Sequence, residues 1–191
     1  MRIWGAEKPR ERVQYVRDSP NVNVFCAVSR AKVYGDIFFP HENTVTVITY
    51  LDMFSEWLLL QMRQDSENFI CIQDGAPPHW HNGVRHYLDE NLPRRWIGPS
   101  TDENMALTCW PPRSPDLTPC DFFLWGYIKD RVFVPPLPVS LNELKQGNTT
   151  AVASVDEDML RSVWTELDYR IDIYSVTTTL KVSISFIITQ Y

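Results

Sequence analysis

The amino-acid sequence predicts an α/β fold in which helices cover a mixed sheet. Two segments rich in β-branched and aromatic residues stand close together near the N-terminus, a short apolar run ends in a carboxylate, and two longer segments repeat apolar residues at helical spacing. The order along the chain is strand, strand, helix, strand, helix, loop, helix, helix, which is typical of such layered folds. With 191 residues and 44% hydrophobic content, the chain is long enough to bury one core.

The first half of the chain predicts a hairpin followed by a helix. Residues 22–28 and 35–39 are expected to be strands, because β-branched and aromatic residues cluster there between turn formers. Thr49, with Asp52 three residues later, is typical of a helix N-terminus. Apolar residues then recur at helical spacing, so we expect an amphipathic helix over residues 50–64.

The middle of the chain predicts a buried strand, a helix and a long loop. Residues 68–74 form a continuous apolar run ending in Asp74, which is typical of a strand buried on both faces of a mainly parallel sheet. Residues 81–91 are expected to be helical. Residues 93–119 are rich in proline, arginine and tryptophan, and they predict a loop.

The C-terminal part predicts a long helix and then a tail. Ser154 and Glu157 form a second capping box, and apolar residues follow along one helical face. Residues 175–191 alternate apolar and polar residues in the period of a strand, but nothing follows that could pair with them. We therefore expect one domain over residues 1–174 and a poorly packed tail over residues 175–191.

The cysteines and the apolar stretches of the sequence indicate which cellular compartment and which classes of protein are compatible with it. The four cysteines stand far apart without a C-x-x-C pair, so neither a zinc ribbon nor a redox motif is indicated, and we expect free thiols. The sequence shows no apolar stretch long enough to span a bilayer and no secretory signal. These features predict an intracellular protein with no membrane partner and no small-molecule cofactor.

The formal net charge of −6 argues against a strongly basic nucleic-acid binder. The charge is unevenly spread, because residues 1–32 hold seven bases against three acids and residues 139–172 hold seven acids against three bases. Two solvated faces would explain this pattern, and so would an N-terminal half that faces DNA. Both interpretations remain open.

Two aspartates are candidates for chemistry. Asp74 ends a predicted buried strand, where open α/β sheets place their active sites, although a turn former is also common there. Asp121 follows 47 positions later, and Thr118 and Pro119 before it predict that it lies in the first turn of a helix. Capping alone would explain Asp121, but a carboxylate at a helix start can also complete a divalent-metal site with a strand-end carboxylate.

Three blocks of the sequence resemble a known family. They are residues 72–80 (Ile-Gln-Asp-Gly-Ala-Pro-Pro-His-Trp), 92–98 (Leu-Pro-Arg-Arg-Trp-Ile-Gly) and 110–126 (Trp-Pro-Pro-Arg-Ser-Pro-Asp-Leu-Thr-Pro-Cys-Asp-Phe-Phe-Leu-Trp-Gly). These blocks are similar to signature blocks of mariner-like DNA transposases, and the similarity extends less sharply over residues 2–174. The Ser-Pro-Asp-Leu-x-Pro-x-Asp pattern is the most specific part of the match.

The resemblance implies a fold, a metal and a set of site residues. The fold would be ribonuclease H-like, the metal Mg²⁺ or Mn²⁺, and the parent activity DNA strand cleavage and transfer at transposon ends, in the nucleus or, without import, the cytoplasm. Asp74 would be the second catalytic and metal-binding carboxylate and Asp121 the third, whereas Asp116 would serve the loop. DNA would be the partner, and the protein would form a homodimer. Basic residues able to meet DNA phosphates are Arg94, Arg95, Arg113, Lys129 and Arg131.

The sequence also departs from the family. The interval between Asp74 and Asp121 is longer than in the best-known members, and the extra length falls in the loop over residues 99–109. In the family, a helix-turn-helix region and a strand carrying the first catalytic aspartate precede the segment that matches residues 2–7, and we find no such block here. The sheet is therefore expected to lack its first, central strand. Asp18, Asp36 and Asp52 are the nearest upstream acids, but none follows a strand that could be the central one.

Three functions follow from these observations. The first is a transposase-derived nucleic-acid-binding domain without catalysis, because two carboxylates are too few to fix metals in line with a scissile phosphate. The second is an active metal-dependent transposase whose gene model is truncated, and the third is a non-catalytic interaction module. A zinc site formed by His79, His81 and His86 is a further alternative, but no fourth ligand stands at metal-site spacing.

Overall fold

A computed structural model describes residues 22–39, 44–111, 113–175 and 186–190 of the chain. Its first elements are the strands β1 (Asn23–Ser29) and β2 (Val33–Phe39), which pair in antiparallel fashion. The Ser29 side-chain oxygen accepts hydrogen bonds from the backbone of Ala31 and Lys32 and so closes the turn between them. The predicted hairpin is confirmed.

The helix predicted over residues 50–64 is present and starts earlier. It consists of α1 (Val47–Met53), a π-helical turn (Phe54–Leu58) and α2 (Leu59–Asp65). Thr46 caps it, since its side-chain oxygen accepts a hydrogen bond from the backbone N–H of Thr49 at 3.2 Å. The predicted capping role of Thr49 is therefore wrong, because Thr49 already lies inside the helix.

The segment around Asp74 contains the short parallel strands of the sheet. Strand β3 (Cys71–Gln73) is followed by a 3₁₀ turn and by helix α3, and then come β4 and β5. The bounds of the later elements are Pro77–Trp80 for the turn, Asn82–Asn91 for α3, Trp96–Gly98 for β4 and Thr108–Cys109 for β5. The loop predicted over residues 93–119 thus contains two strands whose two or three residues are too few to show a period.

The C-terminal half is helical. A 3₁₀ turn (Pro115–Leu117) and a π-helical turn (Cys120–Leu124) lead into three helices. These are α4 (Trp125–Val132), α5 (Leu141–Ala153) and α6 (Glu157–Ser175). Helix α6 was predicted, but its capping residue is Asp156, whose side chain accepts a hydrogen bond from Met159 N–H at 2.8 Å.

In the described part of the chain, the sheet has six strands, and its last strand in sequence is not at its edge. Strand β6 (Phe186–Gln190) lies between β1 and β3 in the order β2-β1-β6-β3-β4-β5. It runs antiparallel to β1 and parallel to β3, and β3, β4 and β5 are parallel to one another. The sheet is therefore mixed, as predicted.

The expectation that the tail over residues 175–191 has no strand partner is wrong for Phe186–Gln190, which pair with β1 and β3, whereas its poor packing stays a prediction. That expectation assumed that no partner was left for a final strand, whereas β1 and β3 leave a place between them that β6 fills. The same finding shows that, within the described residues, the central place of the sheet is filled by β6 and not by the first strand of the chain. Residues 176–185 and 191 lie outside the described residues.

Helices cover both faces of the sheet. On one face, α4, α5 and α6 bury a cluster that contains Leu124, Ile128 and Trp164. On the other face, α1, α2 and α3 bury a cluster that contains Tyr50, Phe54 and Leu88. Within the described part of the chain, no helix combines the length and the apolar character that crossing a membrane requires.

Candidate functional site

Asp74 follows the C-terminal end of β3 and is held by two hydrogen bonds. Its Oδ1 atom accepts the backbone N–H of Ala76 at 3.0 Å and lies 2.8 Å from His79 Nδ1. The Asp74 side chain is 19% exposed, whereas His79 is fully buried. Asp74 is thus a fixed carboxylate at the end of the strand, as the sequence predicts.

Asp74 contacts a buried group of polar side chains formed by His79, Tyr50 and Gln73. The His79 ring lies 4.9 Å from the Tyr50 ring, and the Tyr50 hydroxyl accepts a hydrogen bond from Gln73 Nε2 at 2.7 Å. Burial raises the pKa of Tyr50, and the charges of Cys71 and Asp74 raise it further. Tyr50 therefore stays a neutral hydroxyl, and the network holds the end of β3 rigidly.

The contacts of the two ring nitrogens of His79 favour one neutral tautomer. Nε2 is buried and lacks a hydrogen-bond partner, whereas Nδ1 faces the Asp74 carboxylate. A neutral imidazole with its proton on Nδ1 places its one N–H group on Asp74 and leaves no buried donor unpaired. Sequence reasoning missed this role, although His79 stands five positions after Asp74 in the same block.

Asp121 lies in the first turn of the π-helical segment, as predicted, and the charge of Asp74 affects its pKa. The backbone N–H of Asp121 donates to the Thr118 carbonyl at 2.9 Å. The pKa of Asp121 is raised, first by loss of solvent around the carboxylate and second by the negative charge of Asp74. The negative charge of Asp74 therefore contributes to the environment of Asp121, and the shared site of the two carboxylates stays a prediction.

The described residues bring no third carboxylate to this place. Strand β6, which lies beside β3, has the sequence Phe-Ile-Ile-Thr-Gln and contains no acid. Asp36 lies on the edge strand β2 and accepts a hydrogen bond from Thr149, Asp52 lies on α1, and Asp18 is outside the described residues. The two described upstream acids, Asp36 and Asp52, therefore do not lie on the strand beside β3.

Asp74 and Asp121 are the two residues that the resemblance assigns to a divalent cation. The unfavourable charge coupling between Asp74 and Asp121 is what a bound cation would relieve. However, the described residues contain no group of three or more His, Cys, Asp or Glu side chains that could hold a metal ion. Asp74 and Asp121 would hold a single Mg²⁺ or Mn²⁺ weakly, and such an ion supplies positive charge beside a phosphate.

The histidines do not form a zinc site in the described structure. His79 contacts the Asp74 carboxylate through Nδ1. His81 Nδ1 accepts a hydrogen bond from the backbone N–H of Gly83 at 3.0 Å, at the start of α3. His86 is exposed and lies 3.2 Å from Glu90 one helical turn away. Each histidine thus has a separate structural partner.

Four of the five basic residues predicted to meet DNA fall into two groups. Arg113 lies on the connection from the C-terminal end of β5 to Asp121, and the charge of Lys129 lowers the pKa of Asp121. Arg94 and Arg95 precede β4, and the Arg95 carbonyl accepts the backbone N–H of Cys71 at the start of β3. They lie at the end of β3 opposite to Asp74, so the structure does not bring them to the site.

The remaining predicted residues have local partners. The Arg95 guanidinium donates to the Glu67 carbonyl at 2.6 Å, and that of Arg131 stacks 3.5 Å from the centre of the Tyr127 ring. The carbonyl of Asp116 accepts a hydrogen bond from the Arg170 guanidinium at 2.8 Å, which is consistent with a structural role in the loop.

Comparisons with known proteins agree on one architecture. No protein-family model matches the sequence, and no curated protein matches it. Among solved structures, the chain is similar to a Mos1 transposase paired-end complex with the left transposon end, at a TM-score of 0.66 and 17% identity, over 90% of this chain and 48% of that one. It is also similar to the Mos1 strand transfer complex (0.63, 17%, over 96% and 50%) and to the catalytic domain of the Mos1 mariner transposase (0.59, 17%, over 81% and 72%).

These similarities show the fold. The chain has the α/β, ribonuclease H-like fold of that catalytic domain, so the predicted fold class is confirmed. The resemblance to mariner-like transposases is also confirmed, since the solved structures are those of a mariner transposase. The chain spans about half the length of the transposase chains in the two complexes with transposon DNA ends or strand-transfer products.

Proposed function

We propose that this chain is a transposase-derived domain that binds DNA and does not cut it. One observation carries the proposal: strand β6 beside β3 contains no carboxylate, and the described residues add no third acid to Asp74 and Asp121. Metal-assisted phosphoryl transfer depends on positioning and on charge stabilisation, and two-metal sites use acidic clusters larger than a pair. Loss of one ligand would therefore leave the fold intact and remove the chemistry.

DNA is the partner that the fold and the site support. The similar solved structures include a paired-end complex with a transposon end and a strand transfer complex, and one catalytic-domain structure contains Mn²⁺. In this chain, Arg113 and Lys129 stand on the side of the two aspartates, where they could meet phosphates. The net charge of −6 opposes the approach of DNA, so binding should be weak and strongly salt-dependent. We expect the protein in the nucleus, where this partner is found.

A nicking assay tests the absence of catalysis. The purified chain is incubated with Mg²⁺ or Mn²⁺ and with DNA that carries the element's terminal repeats, beside an Asp74→Ala control. We expect no metal-dependent nicks from either protein. Nicking by the native chain that disappears in the control would show that another acid completes the site, and it would support the alternative of an active enzyme.

Fluorescence anisotropy with labelled duplex DNA tests the binding surface. Arg113→Gln and Lys129→Gln should each weaken binding and reduce the slope of log Kd against log salt by about one, since each removes about one phosphate contact. Arg161→Gln is the matched control, because Arg161 is an exposed base paired with Asp158 on α6, away from the aspartates. Equal losses in all three variants would contradict a localised site.

An exposed apolar segment between α4 and α5 favours a second role in self-association. Five large apolar side chains are exposed between the end of α4 and the first residue of α5: Phe133, Val134, Leu137, Val139 and Leu141. Exposed apolar patches of this kind mark protein interfaces. We propose that this segment contributes to a homodimer, which Val139→Asp should weaken in light scattering after gel filtration. A native chain that stays monomeric at all concentrations would contradict this.

A further inference from the structure

The place between β1 and β3 is occupied by a strand from the far end of the chain. Five residues of β6 pair with β1, from Phe25 opposite Gln190 to Ser29 opposite Phe186. Three of them also pair with β3, beginning with Cys71 opposite Phe186. One strand therefore joins the antiparallel and the parallel halves of the sheet.

The two registers of β6 agree with each other. Ile187 lies opposite Val28 on β1 and opposite Ile72 on β3, and both partners belong to the core cluster under α4, α5 and α6. The β6 positions on either side of Ile187 lie opposite Ala27 and Cys71, which belong to the cluster on the other face. A slip of one residue against either neighbour would break this agreement, so the place is specific in register.

A gap between β1 and β3 in place of β6 would destabilise the fold. On β1, Phe25, Cys26, Ala27 and Val28 are fully buried, and on β3 Cys71 is fully buried and Ile72 nearly so. Without β6, the facing backbone N–H and C=O groups of these strands would lose their hydrogen-bond partners inside the protein. Each buried group left without a partner is destabilising, and the apolar run Phe-Ile-Ile of β6 is typical of a strand buried on both faces.

We propose that β1 and β3 form a strand-acceptor slot, which the chain fills from its own C-terminus. The occupant is an extended apolar segment that runs antiparallel to β1 and parallel to β3, and main-chain hydrogen bonds provide most of the recognition. The slot binds a separate peptide of the same sequence when β6 is prevented from pairing. This property concerns the sheet and holds whether or not the domain binds DNA.

Hydrogen exchange on the native chain tests the occupancy. Amides of residues 186–190 should exchange as slowly as those of β1 and β3, because a central strand opens only when the sheet opens. Exchange at the rate of an unstructured peptide would overturn the proposal. Gel filtration with light scattering should show a monomer at high dilution, and the amides of residues 186–190 should be equally protected from exchange in that monomer. Protection found only in a dimer would show that a second copy supplies the strand, and it would overturn the proposal that the chain fills its own slot.

A proline variant tests the acceptor slot. Ile188→Pro removes a backbone donor from the middle of β6, and Ile188→Val is the matched control that keeps this donor. Ile188→Pro should melt at a much lower temperature than Ile188→Val. A synthetic peptide covering residues 184–191 should raise the melting temperature of the proline variant and leave the melting temperature of the native chain unchanged. This comparison can be made even if the proline variant is unfolded in the absence of the peptide.

A scrambled peptide of the same composition is the control for sequence, and it should have no effect. An unchanged melting temperature in Ile188→Pro, or no rescue by the matching peptide, would overturn the slot. Rescue by the scrambled peptide would also overturn it, because a register-specific site must distinguish the two sequences.

Discussion

The contact between His79 and Asp74 should be an energetically coupled pair. His79 is fully buried, Asp74 is 19% exposed, and the two atoms in contact are 2.8 Å apart. A hydrogen bond to a charged group contributes about 1.5 to 3 kcal/mol. For a chain of this size, about 2 to 4 °C in melting temperature corresponds to each kcal/mol, so loss of the contact should lower Tm by about 3 to 12 °C.

A double-mutant cycle measures this coupling directly. Urea unfolding at pH 7 is followed for the native chain, His79→Leu, Asp74→Ala and the double variant, and leucine is chosen because it is close to histidine in volume. The cycle cancels the packing changes of each single substitution and should leave a coupling free energy of about 1.5 to 3 kcal/mol. Effects that add to within about 0.5 kcal/mol would refute the positioning role of His79.

The chain contains a matched control for this cycle. His86 and Glu90 also form a histidine–carboxylate contact, at 3.2 Å, but their side chains are 74% and 61% exposed. Exposed pairs one helical turn apart contribute about 0.3 to 0.5 kcal/mol. Equal coupling in the two pairs would mean that burial does not strengthen the contact at the site.

Three further predictions concern the same region. Asp74→Asn should lower the pKa of Asp121 in a carboxyl-carbon NMR titration. Because the pKa of Asp121 is raised in the folded state, the ionised carboxylate destabilises the fold at pH values above its folded pKa. This destabilisation disappears as the pH falls below the pKa of the unfolded chain. An unchanged pKa would contradict the coupling. Iodoacetamide should label Cys109 fast and the other three thiols slowly, since these are buried; four equal rates by mass spectrometry would contradict the core. Continuing the register of β6 brings Thr189 level with Asp74, so Thr189→Asp should strengthen Mn²⁺ binding about tenfold or more in calorimetry, whereas Gln190→Asp, on the alternate face, should not.

Local patterns in the sequence were enough to predict many elements. The hairpin of β1 and β2, the amphipathic helix after Thr46 and helix α6 each carry their own period, so neighbouring residues specify them. Asp74 at a strand end and Asp121 in a first helical turn were predicted for the same reason. Both positions depend on short segments whose residue types are distinctive.

The features that sequence reasoning missed depend on distant partners. Strands β4 and β5 have three and two residues, too few to show alternation, and pairing across the sheet defines them. The strand character of the tail was correct, but its place depends on β1, which lies more than 150 residues earlier. The network of Tyr50, Gln73 and His79 joins separate segments, and only the proximity of His79 to Asp74 in one block could have indicated it.

The central claim is that Asp74 and Asp121 stand without a third carboxylate among the described residues. Titration with Mn²⁺, followed by electron paramagnetic resonance of the free ion, counts the bound ions directly. We expect at most one ion per chain, with a Kd of about 1 mM or weaker, since two carboxylates alone are a poor site for a hard cation. Asp74→Ala and Asp121→Ala should each abolish this binding. Two tightly bound ions per native chain would contradict the account.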